Sequence, residues 1–200
     1  KCAGAPNHGR SIATLAAIAE AQKQQPVGLD AYPYVASSTI LRKEWAAVAS
    51  RTLVTWSHAR SDVAGRDVRD IAQEMGLSVD DAIAALQPAG AVYFSMSEDD
   101  VQRILAFPAT MIGSDGLPHD AHPHPRLWGT FPRVLGHYAR DVGLFPLEVA
   151  VRKMTALTAD TFGLKDRGRI AEGCFADLVL FDPARGIDTA TFEKPATPAA

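Results

Sequence analysis

The stretch ATMIGSDGLPHDAHPHPRLWG, residues 109 to 129, ends an apolar run in Asp115 and then enters a loop rich in histidine and proline. The apolar run predicts a strand that Asp115 closes. In a parallel α/β sheet or barrel, functional groups gather at the carboxyl ends of the strands. A carboxylate in that place can ligate a metal and act as a general base on water, so Asp115 is the best single catalytic candidate. An Asp-Gly turn or a helix cap is the structural alternative.

Helix and strand patterns alternate around this stretch, which favours a parallel sheet with crossover helices. Strands are expected at 27–34, 52–56, 90–96 and 109–115, and helices at 12–24, 41–50, 67–75, 78–86 and 97–106. A long proline-rich loop, 118–132, follows, and two further helices are expected at 146–155 and 158–163. The fold class is therefore predicted to be α/β.

The pattern changes after Asp166, where GRIAEGCFADLVLFD, residues 168 to 182, places glycines at turn positions before the apolar run LVLF. No helical pattern follows this run, which is typical of a β segment. Two domains are therefore predicted, 1–166 and 167–200, the second being the start of a small β domain.

Composition limits the classes of function. The 200 residues are 47% hydrophobic and carry a net charge of -3, so there is no basic field for nucleic acid or anionic lipid. No apolar run approaches the roughly 20 residues of a membrane span. The two cysteines, Cys2 and Cys174, are too few for a disulfide framework and favour a reducing compartment, so a cytoplasmic location is expected. The expected partner is a small molecule, and the oligomeric state stays open.

Arg126 stands among apolar residues after the histidine-rich loop. A guanidinium in such surroundings suits bidentate capture of a substrate carboxylate, although an ion pair at the rim of the fold is the simpler alternative. His119, His122 and His124 precede it at spacings of three and two. No helix face would converge their nitrogens, so an ordinary polar loop is favoured over a metal site.

A second polar group follows the expected strand at 27–34. Asp30, Tyr32 and Tyr34 alternate and therefore share one face of the strand. The tyrosines could donate hydrogen bonds to a substrate, and Ser38 continues the polar surface. The same side chains could equally fill the mouth of a barrel.

Three long stretches resemble the D-aminoacylases, which are N-acyl-D-amino-acid deacylases of the amidohydrolase superfamily. They are DAYPYVASSTIL (30–41), QPAGAVYFSMSEDDVQRILAFPATMIGSDGLPHDAHPHPRLWGTFPRVLGHYARDVGLFPLEVAVRKMT (87–155) and DRGRIAEGCFADLVLFDP (166–183). The resemblance covers the chain from Lys1 to about Pro195. It implies the second half of a zinc-dependent (β/α)8 TIM-like barrel, followed by part of a small β domain.

The resemblance also implies roles for individual residues. Asp115 corresponds to the metal-associated catalytic base, and Lys1, Tyr32, Ser38 and Arg126 correspond to positions that hold the substrate. The cofactor implied is Zn²⁺, and the reaction is hydrolysis of the amide bond of an N-acyl-D-amino acid to a carboxylate and a free D-amino acid. No metal role is implied for the three loop histidines.

In this family the remaining metal ligands lie before the segment that resembles this chain, so the chain is expected to be a carboxy-terminal portion that is inactive alone. Two alternatives remain open. One is a cyclic amidohydrolase similar to dihydroorotase or hydantoinase, which shares the aspartate. The other is a catalytically inactive fragment.

Overall fold

Two small sheets organise the chain, whose computed structural model describes residues 2–200. Strands β1 (Leu29–Ala31) and β5 (Thr110–Ile112) pair in parallel, with Asp30 opposite Met111. The second sheet is antiparallel and has the order β2-β4-β3, formed by Ala36–Ile40, Ala89–Phe94 and Arg51–Ser57. The expected parallel pairing is thus present between β1 and β5, whereas the three strands between them in sequence form an antiparallel sheet.

Eight α-helices surround these sheets in the described part of the chain. They are α1 (Ser11–Ala21), α2 (Lys43–Ala46), α3 (Val68–Met75), α4 (Val79–Ala85), α5 (Glu98–Ala106), α6 (Arg126–Arg133), α7 (Leu147–Met154) and α8 (Ala156–Phe162). Short 3-10 turns occur at Ala5–Asn7 and Ser61–Val63, and a π-helical segment, Val134–Asp141, continues α6.

Side-chain caps explain several helix starts. Ser78 accepts a hydrogen bond from the amide of Asp81, as its sequence pattern predicts, and Ser97 accepts from the amide of Asp100. Ser11 does not cap α1 as expected, because it is the first helical residue and its hydroxyl donates to Asp100 of α5. This hydrogen bond joins the start of α1 to the start of α5.

The region expected to be a loop up to residue 132 is helical from Arg126 onward. Pro125 occupies the position before the first turn, where a missing amide costs nothing, and α6 tolerates Pro132 near its end. The chain continues directly into the π-helical segment, and both proline and π-helical turns are known sites of helix distortion. Arg126 is the first residue of α6, and its side chain reaches the carbonyl oxygen of Ser38 in β2.

Two of the three buried apolar clusters pack the helices against the sheets. One lies between the antiparallel sheet and α2 to α4 and includes Val54, Ile71 and Leu86. The other joins β5 to α5, α7 and the π-helical segment, with Leu105 and Tyr138 at its centre. The second cluster includes Ile112 of β5 and packs against Ala31 of β1, so the carboxyl ends of these two strands rest on a packed base.

The carboxy-terminal segment differs from expectation. Within the described residues no strand follows β5, and the run LVLF is exposed, with Val179 at 86% and Leu180 at 101%. The strand predicted there is therefore absent, while the division at 166 into two domains stays a prediction. In residues 2–200, no helix has the length and apolar character needed to cross a membrane.

Candidate active site

Asp115 lies three residues after the end of β5 and is partly exposed to solvent. Its backbone has φ 48°, in the left-handed region that aspartate tolerates better than most residues. Its side chain is 55% exposed. The carboxylate is thus held on a tight turn, within reach of a ligand.

Asp115 lines two cavities. The first has a volume of about 400 Å³ and is also lined by Asp30, Tyr32, Tyr34 and Met96. The second has a volume of about 420 Å³ and lies between Asp115, Ser38, Tyr93 and Arg126. A molecule bound across Asp115 would therefore contact β1 on one side and the antiparallel sheet on the other.

Arg126 brings a buried positive charge to the second cavity. Its side chain is 1% exposed, and its Nη1 lies 2.9 Å from Oδ2 of Asp115. Nη2 donates to the carbonyl oxygen of Ser38 at 3.3 Å, and the guanidinium lies over the ring of Tyr32, 4.6 Å from its centroid. Nη1 is close to Asp115 without the alignment of a hydrogen bond, and Nε has no hydrogen-bond partner among residues 2–200. A buried guanidinium with unused donors favours an additional anionic ligand.

Ser38 supplies a second unused polar group to the same cavity. It is 5% exposed, and its hydroxyl has no hydrogen-bond partner in the described part of the chain. A buried hydroxyl without a partner is costly, so a ligand in this cavity would gain from its hydrogen bond.

The structure thus brings four of the five predicted site residues together, namely Asp115, Tyr32, Ser38 and Arg126. The fifth, Lys1, lies outside the described residues. The role of each remains a prediction, since proximity alone assigns none. The simpler alternative for Arg126, an ion pair, is also present, but the pair is with Asp115 and the arginine is buried.

The loop histidines do not converge. His119 is exposed, and Nε2 of His122 lies 2.7 Å from the carbonyl oxygen of Phe192. His124 is buried and contacts Ala36 instead. Within residues 2–200, no three His, Cys, Asp or Glu side chains are grouped so that they could hold a metal ion. Of the predicted metal ligands, the described chain therefore offers the single carboxylate of Asp115.

Asp120 lies near Arg126 and was not among the site residues predicted from the sequence. Burial raises the pKa of its carboxyl, while the facing side chains of Thr55 and Trp56 and the charge of Arg126 oppose the rise. Its position beside Thr55 and Trp56 of β3 was not predictable, because it depends on the loop after Asp115 folding back onto the antiparallel sheet. The amide of His122, which donates to the carbonyl oxygen of Thr55 at 2.9 Å, helps to hold that loop in place.

Comparison with solved structures identifies relatives of this arrangement. A structure of D-aminoacylase, described for the functional role of its binuclear metal center, has a TM-score of 0.95 and 60% identity over 99% of this chain and 42% of its own. N-acyl-D-glutamate deacylase from Bordetella bronchiseptica, complexed with zinc and a phosphonate mimic of the tetrahedral intermediate, has a TM-score of 0.97 and 48% identity over 98% of this chain and 42% of its own.

Comparison with known protein sequences identifies the same group of relatives. D-aminoacylase of Alcaligenes xylosoxydans xylosoxydans is 62% identical over 200 residues, which are 100% of this chain and 41% of that protein. The chain thus spans about two-fifths of the length of its curated relative. The predicted fold class, α/β and part of a TIM-like amidohydrolase barrel, is confirmed by these likenesses. The model described as the amidohydrolase family matches residues 13–199, and the chain belongs to that family.

Proposed function

We propose that this chain forms the carboxy-terminal part of a zinc-dependent N-acyl-D-amino-acid deacylase. The complete deacylase is called the full-length enzyme below. The observation that carries the proposal is the buried guanidinium of Arg126 beside the exposed carboxylate of Asp115, at a cavity of about 420 Å³. Such a cavity offers a cation for the α-carboxylate of an amino acid next to a base for hydrolysis of its amide. Relatives that act as D-aminoacylase and as N-acyl-D-glutamate deacylase support the substrate class.

Asp115 would act as the base and as one carboxylate ligand of the metal. Its exposed Oδ atoms can accept the proton of the attacking water and return it to the leaving amine. Zinc, when bound, would polarise the amide carbonyl and acidify the attacking water. The metal's other ligands are proposed to lie in the part of the relatives that this chain does not cover.

Arg126, Ser38, Tyr32 and Lys1 would hold the substrate. The planar guanidinium can grip a carboxylate through two parallel hydrogen bonds, and the free hydroxyl of Ser38 can add a third. The ring of Tyr32 packs against the guanidinium and stabilises its charge through a cation–π contact. With the carboxylate fixed at Arg126 and the amide at Asp115, the side chain is directed to one remaining place, which gives a physical basis for selecting one hand.

A chimera tests the proposal, since the chain aligns over its whole length with D-aminoacylase. The chain would replace the matching segment of that enzyme, with the unaltered enzyme and an Asp115→Asn chimera as controls. We expect the chimera to release D-amino acids from N-acetyl-D-amino acids and to leave the L-isomers intact. A folded, zinc-loaded chimera that hydrolyses a cyclic ureide instead would support the cyclic amidohydrolase alternative. One that hydrolyses neither would support an inactive segment.

A further inference from the structure

His124 is a buried histidine whose two ring nitrogens both have partners on the elements that hold Arg126. The side chain is 2% exposed. Its Nδ1 lies 2.9 Å from the amide nitrogen of Arg126, and its Nε2 lies 3.1 Å from the carbonyl oxygen of Ala36 in β2. The ring therefore bridges the start of α6 and the start of β2.

These contacts fix the protonation of the ring. A peptide N–H can only donate, so Nδ1 must be the acceptor and carry no proton. A carbonyl oxygen can only accept, so Nε2 must carry the proton. The tautomer assigned by this network is the neutral one with hydrogen on Nε2.

The position of His124 compensates for the proline that follows it. The first amides of a helix lack partners within the helix, and a side chain at the residue before the helix usually supplies one. Pro125 occupies that place and provides no side-chain hydrogen bond. His124 accepts the amide two residues ahead instead, as asparagine and aspartate do in tight turns.

The ring itself has little freedom to move. Tyr34 packs edge-on against it at a centroid distance of 5.0 Å, and Phe192 does the same from the carboxy-terminal segment at 5.0 Å. The amide of Arg126 is buried, so loss of its acceptor would leave a donor without a partner.

We propose that His124 is a positioning residue for substrate binding, which sets the place of Arg126 by holding its amide against β2. The guanidinium end of the same residue is tied to β2 through the carbonyl oxygen of Ser38. Arg126 is thus fixed to one strand at both its main chain and its side chain. The proposal rests on the proposed function, in which Arg126 binds the substrate carboxylate.

Two substitutions in the full-length enzyme separate the two contacts. His124→Asn places an oxygen where Nδ1 was and keeps the acceptor for Arg126, whereas His124→Gln keeps a donor near Ala36 and loses that acceptor. We expect His124→Gln to lower kcat/KM for an N-acyl-D-amino acid by about tenfold, mainly through a higher KM, since the amide of Arg126 is left unpaired. His124→Asn should stay within about threefold of the wild type, because its acceptor is retained. The corresponding N-acyl amino acid amide, which has no carboxylate, should be hydrolysed equally by both variants.

The outcomes are distinct. Equal losses in the two variants, or equal losses on acid and amide substrates, would reduce His124 to a packing residue and overturn the proposal. If His124→Gln does not fold, His124→Asn decides alone, and a fall of more than about threefold in its kcat/KM for the acid substrate would overturn the proposal. A wild-type full-length enzyme that hydrolyses neither substrate would instead refute the proposed function.

Discussion

The guanidinium of Arg126 lies 2.9 Å from the carboxylate of Asp115, so the proposed anchor of the substrate and the proposed base form a direct ion pair. Arg126 is buried while Asp115 is 55% exposed, and the two charges meet at the boundary between protein and solvent. A substrate carboxylate arriving at Arg126 would compete with Asp115 for the same donors. Substrate binding and the freedom of the base are therefore coupled, and substitutions at the two positions should have different kinetic signatures.

The first prediction concerns the base. Asp115→Asn in the full-length enzyme should preserve the fold, because asparagine also tolerates a left-handed backbone, which Asp115 has with φ 48°. Loss of a general base lowers turnover by about 10² to 10⁴. Steady-state kcat of the zinc-loaded variant measures this, with circular dichroism as the control for folding. Retention of more than roughly a tenth of wild-type kcat would exclude Asp115 as the base, given that expected loss.

The second prediction concerns the anchor. Arg126→Lys should lower kcat/KM for N-acyl-D-amino acids by about 10- to 150-fold, because an ammonium cannot form the planar two-donor contact. The same variant should lose little on the corresponding amide substrate. Arg60→Lys is a matched control, since Arg60 pairs with Asp62 at the surface, away from both cavities. Equal losses on acid and amide substrates, with a lower melting temperature, would assign Arg126 a structural role.

The third prediction concerns the metal. The isolated 200-residue chain should bind zinc weakly and show no deacylase activity, because Asp115 is one ligand and a zinc site needs three or four. Isothermal titration with zinc and a ninhydrin assay for released amino acid check the two statements. Stoichiometric binding with micromolar or tighter affinity would contradict the first.

The fourth prediction concerns Lys153, a buried lysine. Its Nζ donates to the carbonyl oxygens of Phe107 and Thr110 at 2.6 and 3.2 Å. Burial, with a smaller contribution from Arg152, lowers its pKa from 10.5 to about 8. Below pH 8 Lys153 is charged in both the folded and the unfolded state, and burial of the charge destabilises the folded state. Between pH 8 and 10.5 the folded state releases its proton first, so its stability rises with pH.

Lys153→Met removes this titration. The difference in melting temperature between wild type and Lys153→Met should therefore shift in favour of the wild type from pH 7.5 to pH 10. A difference that does not change with pH would show that Lys153 titrates normally.

The fifth prediction concerns Asp100, which joins the starts of α1 and α5. Burial opposes its ionisation, but hydrogen bonds from Ser11, the amide of Gly9 and Ser97 outweigh burial and lower its pKa to about 2. The stability that it contributes is complete above its ordinary pKa of 3.8 and is lost as the pH falls towards 2. Asp100→Asn should lower the free energy of unfolding by about 1 to 3 kcal/mol at neutral pH.

Asp99→Asn is the matched control for Asp100, because Asp99 is exposed on the same turn of α5. Chemical denaturation of both variants and the wild type at pH 7 and pH 3 checks the prediction. If the two variants are equally stable at pH 7, the network around Asp100 contributes nothing.

Much of the site was predictable because its residues stand where patterns change. Asp115 closes an apolar run that predicts a strand at 109–115, and the structure forms the shorter strand β5, which ends at Ile112, three residues before Asp115. Ser78 and Ser97 begin helices for the same local reason. Strand ends and helix caps of this kind depend on a few neighbouring residues, so they can be predicted without knowing the tertiary contacts.

The missed features depend on distant partners. Strand β2 contains Ser37, Ser38 and Thr39, whose polarity does not predict a strand, and it forms because β4 pairs with it. Helix α6 was not predicted because Pro125 and Pro132 indicate a loop. Proline is nevertheless compatible with the start of a helix and with a distorted helix end. The ion pair between Asp115 and Arg126 depends on the path of the whole intervening loop, which no local pattern encodes.

Strand β2 reaches His124 and Arg126 through main-chain carbonyl groups, those of Ala36 and Ser38. A carbonyl group stays in place when its side chain is exchanged. Ser37 and Thr39 stand on the same strand and line the cavity of Arg126. Substitutions at positions 37 and 39 should therefore change the lining of this cavity without removing the main-chain contacts of His124 and Arg126. If Arg126 binds the substrate carboxylate as proposed, a library randomised at these two positions should contain many active variants with altered side-chain preference.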